Sequence, residues 1–128
     1  FGAGSGFLGI PGDVTPPSRF VRAAWYQGTT PVPATTDKAV RQCFQILNNF
    51  DIPIGIETAE GETAVDIPSA TQWTSATDMT GRKIYYRTMR NSAIRLIDLN
   101  RINFGKTKYK ATPLDTVKEQ PFYAVGVK

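Results

Sequence analysis

The sequence contains no histidine and a single cysteine, Cys43, among its 128 residues. Without histidine the chain by itself cannot build a Ser-His-Asp triad, a Cys-His pair or an imidazole-bound zinc site. One cysteine excludes an internal disulfide and a CxxC motif, and it does not reveal a redox compartment. No apolar run approaches the ~20 residues that a helix needs to cross a bilayer, so no membrane partner is expected. There is no opening methionine and no signal-like segment. Phe1 heading a glycine-rich run reads as the start of a fragment or of a processed chain.

What is present looks globular. Hydrophobic residues make up 41% and charged residues 20%, a balance that disordered chains do not show. The length fits one domain or part of one, and a chain of this size can bury a core. The net charge of +4 suits an anionic small molecule, a nucleic acid, or no partner in particular.

The most informative stretch is Ile10 to Trp25, IPGDVTPPSRFVRAAW. Pro11-Gly12-Asp13 punctuates the chain. Thr15 stands where an N-cap belongs, with Pro16 and Pro17 in the first turn. A helix is predicted from Thr15 to Gln27 with Gly28 as its stop. Arg19 and Arg22 lie three apart on neighbouring parts of one helical face, and Phe20 and Ala24 share an adjacent apolar strip. An arginine in this setting is either a partly buried charge awaiting an anion or an ordinary surface residue. Arg22 could pair with a carboxylate such as Asp13.

Upstream, Gly4 to Gly9 formally matches GxGxxG, but it runs into a turn rather than a helix. A glycine-rich loop or strand edge with a close backbone approach is the plainer reading. Thr29 to Thr36 reads as a loop. A second helix is predicted from Asp37 to Asn49 with Thr36 as N-cap. Val40, Cys43, Phe44, Leu47 and Phe50 recur at helical spacing, which makes it amphipathic. Cys43 lies in that stripe with no visible activating base, as a small buried hydrophobe would. Asp51 to Ser69 is irregular, and its carboxylates Glu57, Glu60, Glu62 and Asp66 read as a solvated loop rather than a cation site.

Strands are predicted at Gln72–Asp78, Lys83–Met89 and Ala93–Leu99, with turns at Thr80-Gly81-Arg82 and Arg90-Asn91-Ser92. Such short connections make an antiparallel meander. Ile84, Tyr86 and Thr88 face one way and Tyr85, Arg87 and Met89 the other, so both faces of the sheet are expected to be covered. Two helices and this sheet give a layered α+β fold. Arg101 to Lys110 (RINFGKTKYK) is basic with interleaved Phe104 and Tyr109. That pattern fits a solvated hairpin or extended tail, or a single-stranded nucleic-acid contact. Thr112 to Lys128 ends in a short apolar run that could pack on a neighbour or on another part of the fold.

The run GAGSGFLGIPGD followed by PPSRFVRAA, with CFQILNNF, IYYRT and AIRLIDL beyond it, resembles the choloylglycine hydrolase family of conjugated bile acid hydrolases and penicillin V acylases. The resemblance extends from about Gly2 to about Leu99 and covers only the C-terminal part of a family member. It implies residues 1–128 as the C-terminal portion of one αββα N-terminal-nucleophile hydrolase domain. It implies a linear-amide substrate, no cofactor and no metal. In such enzymes a processed N-terminal cysteine attacks the amide and its own amino group serves as base. That cysteine, an aspartate and an arginine near it, and the oxyanion asparagines would all lie upstream of residue 1. One family active-site residue falls on this chain, the SRF arginine, Arg19, which would favour the thiolate and organise neighbouring polar groups. The resemblance further implies the upstream half of the same enzyme and a homo-oligomer as partners. It implies a bacterial protein of cytoplasm or periplasm, without choosing between them, and this chain alone is expected to be inactive. Two alternatives come from other classes: a nucleic-acid-binding module using Arg101 to Lys110, and an assembly piece that completes a partner's fold. With the hydrolase reading, no nucleic acid is expected.

Overall fold

A computed structural model of the chain describes residues 5–63, 70–109 and 111–126. Two helices precede a three-stranded sheet. They are α1 (Pro16–Thr29) and α2 (Thr36–Leu47), then β1 (Trp73–Asp78), β2 (Lys83–Thr88) and β3 (Asn91–Asp98). The strands pair antiparallel in the order β1-β2-β3, as the short turns predict.

Both helix starts follow from sequence, with one shift. Thr15 is the cap residue of α1. For α2 the cap is Thr35 rather than Thr36, and its hydroxyl accepts from the Lys38 amide at 3.4 Å. Either threonine has the right chemistry, and Thr35 has the extended backbone a cap requires. Gly28 does not stop α1: the helix runs on to Thr29 and ends at Thr30, whose backbone is extended. The residue after it is Pro31, and a residue before proline is pushed out of the helical region.

α2 lies on the face of the sheet that carries Tyr85 and Arg87. Phe44, 4% exposed, is the centre of that contact, and the Arg87 guanidinium lies 6.0 Å from its ring centroid. Asp51, just after α2, pairs with Arg87 at 2.6 Å. Ile52 donates its amide to the Thr71 hydroxyl at 2.9 Å, which ties the loop after α2 to the approach of β1. Residues 51–63 are irregular as predicted, and Glu57, Glu60 and Glu62 belong to them. Asp66 lies outside the described residues. Among the described residues no cluster of three or more potential metal ligands occurs, and no helix is long and apolar enough to cross a membrane.

The third strand begins earlier than its sequence suggests. Register runs from Lys83↔Asp98 to Tyr86↔Arg95 and then jumps to Thr88↔Asn91, a bulge that leaves Ser92 to Ile94 opposite Arg87. The predicted turn residues Asn91 and Ser92 are therefore strand, and Met89 is turn. Arg95 holds the bulge: its Nη1 donates to the carbonyls of Asn91 (2.8 Å) and Ala93 (2.6 Å), and its Nη2 to the Thr88 hydroxyl (3.2 Å). The same Nη2 pairs with Asp115.

Asp115 belongs to a strap that crosses the other face of the sheet. The Tyr86 hydroxyl donates to the Leu114 carbonyl at 2.8 Å, and Asn91 Nδ2 to the Val117 carbonyl at 3.2 Å. Gln120 closes it, its amide donating to the Arg90 carbonyl at 3.0 Å and its Oε1 accepting from the Ser92 amide, also at 3.0 Å. The tail therefore packs on its own sheet as far as Gln120. Coverage of this face is partial, because the strap lies over Tyr86 and Thr88 and leaves Trp73 59% exposed. Beyond the strap, Phe122, Tyr123 and Val125 project into solvent. Phe104 and Tyr109 are exposed too, on a segment that turns at 104–106, where the Lys106 and Thr107 amides donate to the Asn103 carbonyl, and that forms no strand among the described residues, so the predicted solvated region is not a hairpin.

Candidate functional site

The start of α1 carries the candidate site. Pro16 and Pro17 bring no N–H groups to the first turn, which lowers its need for capping partners. Thr15, although in the cap position, makes no side-chain cap bond. Asp13 replaces it. One carboxylate oxygen accepts from the Thr15 amide (2.8 Å) and the Thr15 hydroxyl (2.5 Å), and the other from the Ser18 hydroxyl (2.6 Å). Ser18 is 6% exposed, and a buried hydroxyl without a partner is costly. The hydrogen bonds from Ser18 and Thr15 hold the Asp13 carboxyl down at about 2, against 3.8 ordinarily.

Arg22 is committed to the same loop. Its Nη1 donates to the main-chain carbonyls of Pro11 (2.9 Å) and Asp13 (2.7 Å), and its guanidinium lies 5.6 Å from the Phe50 ring centroid. It binds the Asp13 carbonyl, while the carboxylate accepts from Thr15 and Ser18.

Arg19 differs. It is half-buried, and its side chain has neither a hydrogen bond nor an ion pair among the described residues. It borders a shallow recess walled by Pro16, Phe20, Ala23, Leu47 and Phe50. Such a cation, beside apolar walls and without a carboxylate of its own, is available to an anion or to a group that becomes one. The structure separates the two arginines that sequence spacing left equivalent.

Gly4, the first glycine of the GxGxxG match, lies outside the described residues, and among the described ones Ser5 to Gly9 lead into a turn rather than a helix. Ser5–Phe7 is a single 3-10 turn, and the chain then enters the Pro11-Gly12-Asp13 loop. Phe7 packs against Trp25 and Tyr26 at 5.8 and 5.1 Å between ring centroids. A Cβ on Gly6 would meet the Trp25 ring at 3.5 Å, and Gly9 has φ 85°. Gly9 serves a left-handed turn, whereas at Gly6 a Cβ would make only an ordinary contact with the Trp25 ring. Cys43 is half-buried on α2, lining a recess with Ala76 and Met79, and burial raises its pKa, the opposite of what a nucleophilic thiol needs.

The family model described as linear amide C-N hydrolases, choloylglycine hydrolase family, matches residues 1–115. The chain belongs to this family. A bile salt hydrolase/transferase from Lactiplantibacillus plantarum is 34% identical over 98% of this chain and 37% of its own length. A shorter stretch, 41% of this chain, is 49% identical to an uncharacterized protein, A284L, of Paramecium bursaria Chlorella virus 1, over 19% of that protein. Among solved structures, a mutant of the conjugated bile acid hydrolase from Clostridium perfringens covers 98% of this chain, at 29% identity and TM-score 0.70. The match takes in 36% of that structure's chain. The chain spans 19% to 37% of the length of the curated relatives it matches.

The two helices followed by the three-stranded antiparallel meander are part of the N-terminal-nucleophile fold of the choloylglycine hydrolase family, with α2 the helix that packs on the sheet. Sequence reasoning singled out Arg19 through the SRF motif, and the structure places it half-buried at the edge of the recess. It missed Asp13 as the clamp of the helix start, although an Asp two before Thr15 is a recognisable turn signal. It also missed Arg95 and Asp115, which no local pattern joins.

Proposed function

We propose that this chain is the C-terminal portion of a linear-amide hydrolase whose nucleophilic N-terminal cysteine lies upstream, with Arg19 as catalytic support. The observation that carries the reading is the family match over residues 1–115, together with a half-buried Arg19 that has no ion-pair partner among the described residues. In the proposed reaction a thiolate attacks the amide carbonyl carbon, the C–N bond breaks, and the amine leaves with a proton. Water then cleaves the thioester, releasing the acid and restoring the thiol. Backbone and amide donors upstream hold the oxyanion. Arg19 favours the thiolate over the thiol by placing positive charge beside it.

The substrate proposed is an N-acyl amide with a bulky apolar acyl side: a conjugated bile salt, penicillin V, or an N-acyl homoserine lactone. The upstream part of the same enzyme is the proposed occupant of the apolar surface around Trp73. Most of the relatives' length lies outside the matched region, and an exposed indole on an incompletely covered sheet face gains by burial. The assembled enzyme is proposed to be a homo-oligomer, and this chain alone is expected to be inactive.

The test is hydrolysis by the polypeptide carrying its upstream region, read as glycine release from a glycine-conjugated bile salt and phenoxyacetate release from penicillin V. Arg19→Ala should lower kcat by about 100-fold, the scale for losing one electrostatic contact to reacting atoms. Unchanged turnover would remove Arg19 from the site, and no cleavage of any N-acyl amide would remove the hydrolase reading.

A further inference from the structure

The first turn of α1 is held in a way that singles out Arg19. Its two prolines supply no amide donors, and the main-chain bond from the Arg19 amide to the Thr15 carbonyl, 3.0 Å, opens the helical ladder. A turn of that kind frays easily, and the exit direction of Arg19 depends on its staying closed. Asp13 closes it from the loop side, gripping Thr15 by amide and hydroxyl and Ser18 by hydroxyl. Arg22, one turn beyond Arg19, ties the helix back to the carbonyls of Pro11 and Asp13. The residues immediately before and three after Arg19 are thus fastened to one short loop. Arg19, between them, makes no side-chain hydrogen bond or ion pair among the described residues. A rigid mount under an unpaired guanidinium is what preorganisation of a charge requires.

We propose that Asp13 is a positioning residue for Arg19, acting through Thr15 and Ser18. This rests on the reading of Arg19 as catalytic support. Asp13 does not touch the reacting atoms. Its carboxylate sets the first turn, and the turn sets where the guanidinium stands relative to the attacking thiol.

The experiment is a double-mutant cycle in the polypeptide carrying its upstream region, on whichever amide it cleaves. Asp13→Ala, Arg19→Ala and the double variant are compared by kcat, KM and thermal midpoint. Expected is a drop in kcat of roughly 10-fold for Asp13→Ala, with KM within about twofold. In the Arg19→Ala background the same change should alter kcat by less than about twofold, because two residues acting as one unit are not additive. Ser18→Ala removes one arm of the clamp and carries the same cycle if Asp13→Ala does not fold. Equal losses from Asp13→Ala in both backgrounds would overturn the positioning role. So would an unchanged kcat in Asp13→Ala while Arg19→Ala is impaired, and the reading of Arg19 would survive that result. An unimpaired Arg19→Ala overturns both.

Discussion

Arg87 Nη2 stands 2.6 Å from Asp51 Oδ2 while the same guanidinium lies under the Phe44 ring, so one side chain joins the sheet, the helix and the loop after it. Arg87 is 14% exposed and its Nε is buried without a partner, whereas Asp51 is 40% exposed. Removing Asp51 leaves a largely buried cation, but water reaches the site from the Asp51 side and softens the loss. Asp51→Ala should therefore cost about 1–2 kcal/mol, below the range for a fully buried pair. Phe44→Ala should cost more, about 3–4 kcal/mol, by opening a cavity at the centre of the helix–sheet contact. Urea unfolding of the two variants beside the parent protein checks the order.

Asp13 gives a pH dependence of fixed sign. Its carboxyl titrates at about 2 when folded, against 3.8 ordinarily, because the Ser18 and Thr15 donors favour the charged form. The stabilisation is fully present above the ordinary value and is lost as pH falls from about 4 through about 2. Asp98, lowered by the Asn100 side chain and amide, contributes with the same sign. Stability measured between pH 5 and pH 2 should fall less steeply in Asp13→Asn than in the parent. Parallel curves would remove Asp13 from the acid transition.

The strap should be released by a single change. Arg95→Ala deletes the pair with Asp115 and the bonds to Asn91, Ala93 and Thr88. Both partners are largely buried, so a loss of roughly 2–3 kcal/mol is expected. Trypsin should then cut after Lys118 several-fold faster, since backbone no longer held in place is the preferred site of nicking. An unchanged cutting rate would mean that Tyr86, Asn91 and Gln120 suffice to hold the strap.

Cys43 should behave as a structural thiol. Burial raises its pKa, and the thiolate is the reactive form. A thiol reagent at pH 8 should label the native protein slowly and the urea-unfolded protein fast. Rapid native labelling would place the thiol in solvent.

Helices and strands were legible because their signals are local. The stripe Val40, Cys43, Phe44 marks the face of α2 that meets the sheet, with Leu47 at its end toward α1, and the turn at Thr80-Gly81-Arg82 marks the join of β1 and β2. The Gly81 amide donates to the Asp78 carboxylate at 2.8 Å, which closes that turn. Adjacent Thr35 and Thr36 carry equal capping chemistry, so the choice between them fell to the backbone of the preceding loop. The bulge in β3 and the strap were not legible. They depend on Arg95 reaching Asp115, 20 positions away, and on Tyr86 reaching Leu114, 28 positions away. Arg19 was legible as a motif residue, but its difference from Arg22 was not, because that difference lies in which carbonyls a loop presents.

The segment from Phe7 to Asp13 is moored at both ends of α1, by aromatic rings on Trp25 and Tyr26 and by hydrogen bonds at the helix start. Between the moorings Leu8 stands in solvent and Gly9 turns the chain at φ 85°. Across Gly9 the fastening is a single turn bond, from the Ile10 amide to the Phe7 carbonyl at 3.1 Å, and beyond it Arg22 holds the Pro11 carbonyl. Extra residues after Gly9 would bow outward at small entropic expense and leave the guanidinium of Arg19 where it is. Slack introduced at either mooring would reach it.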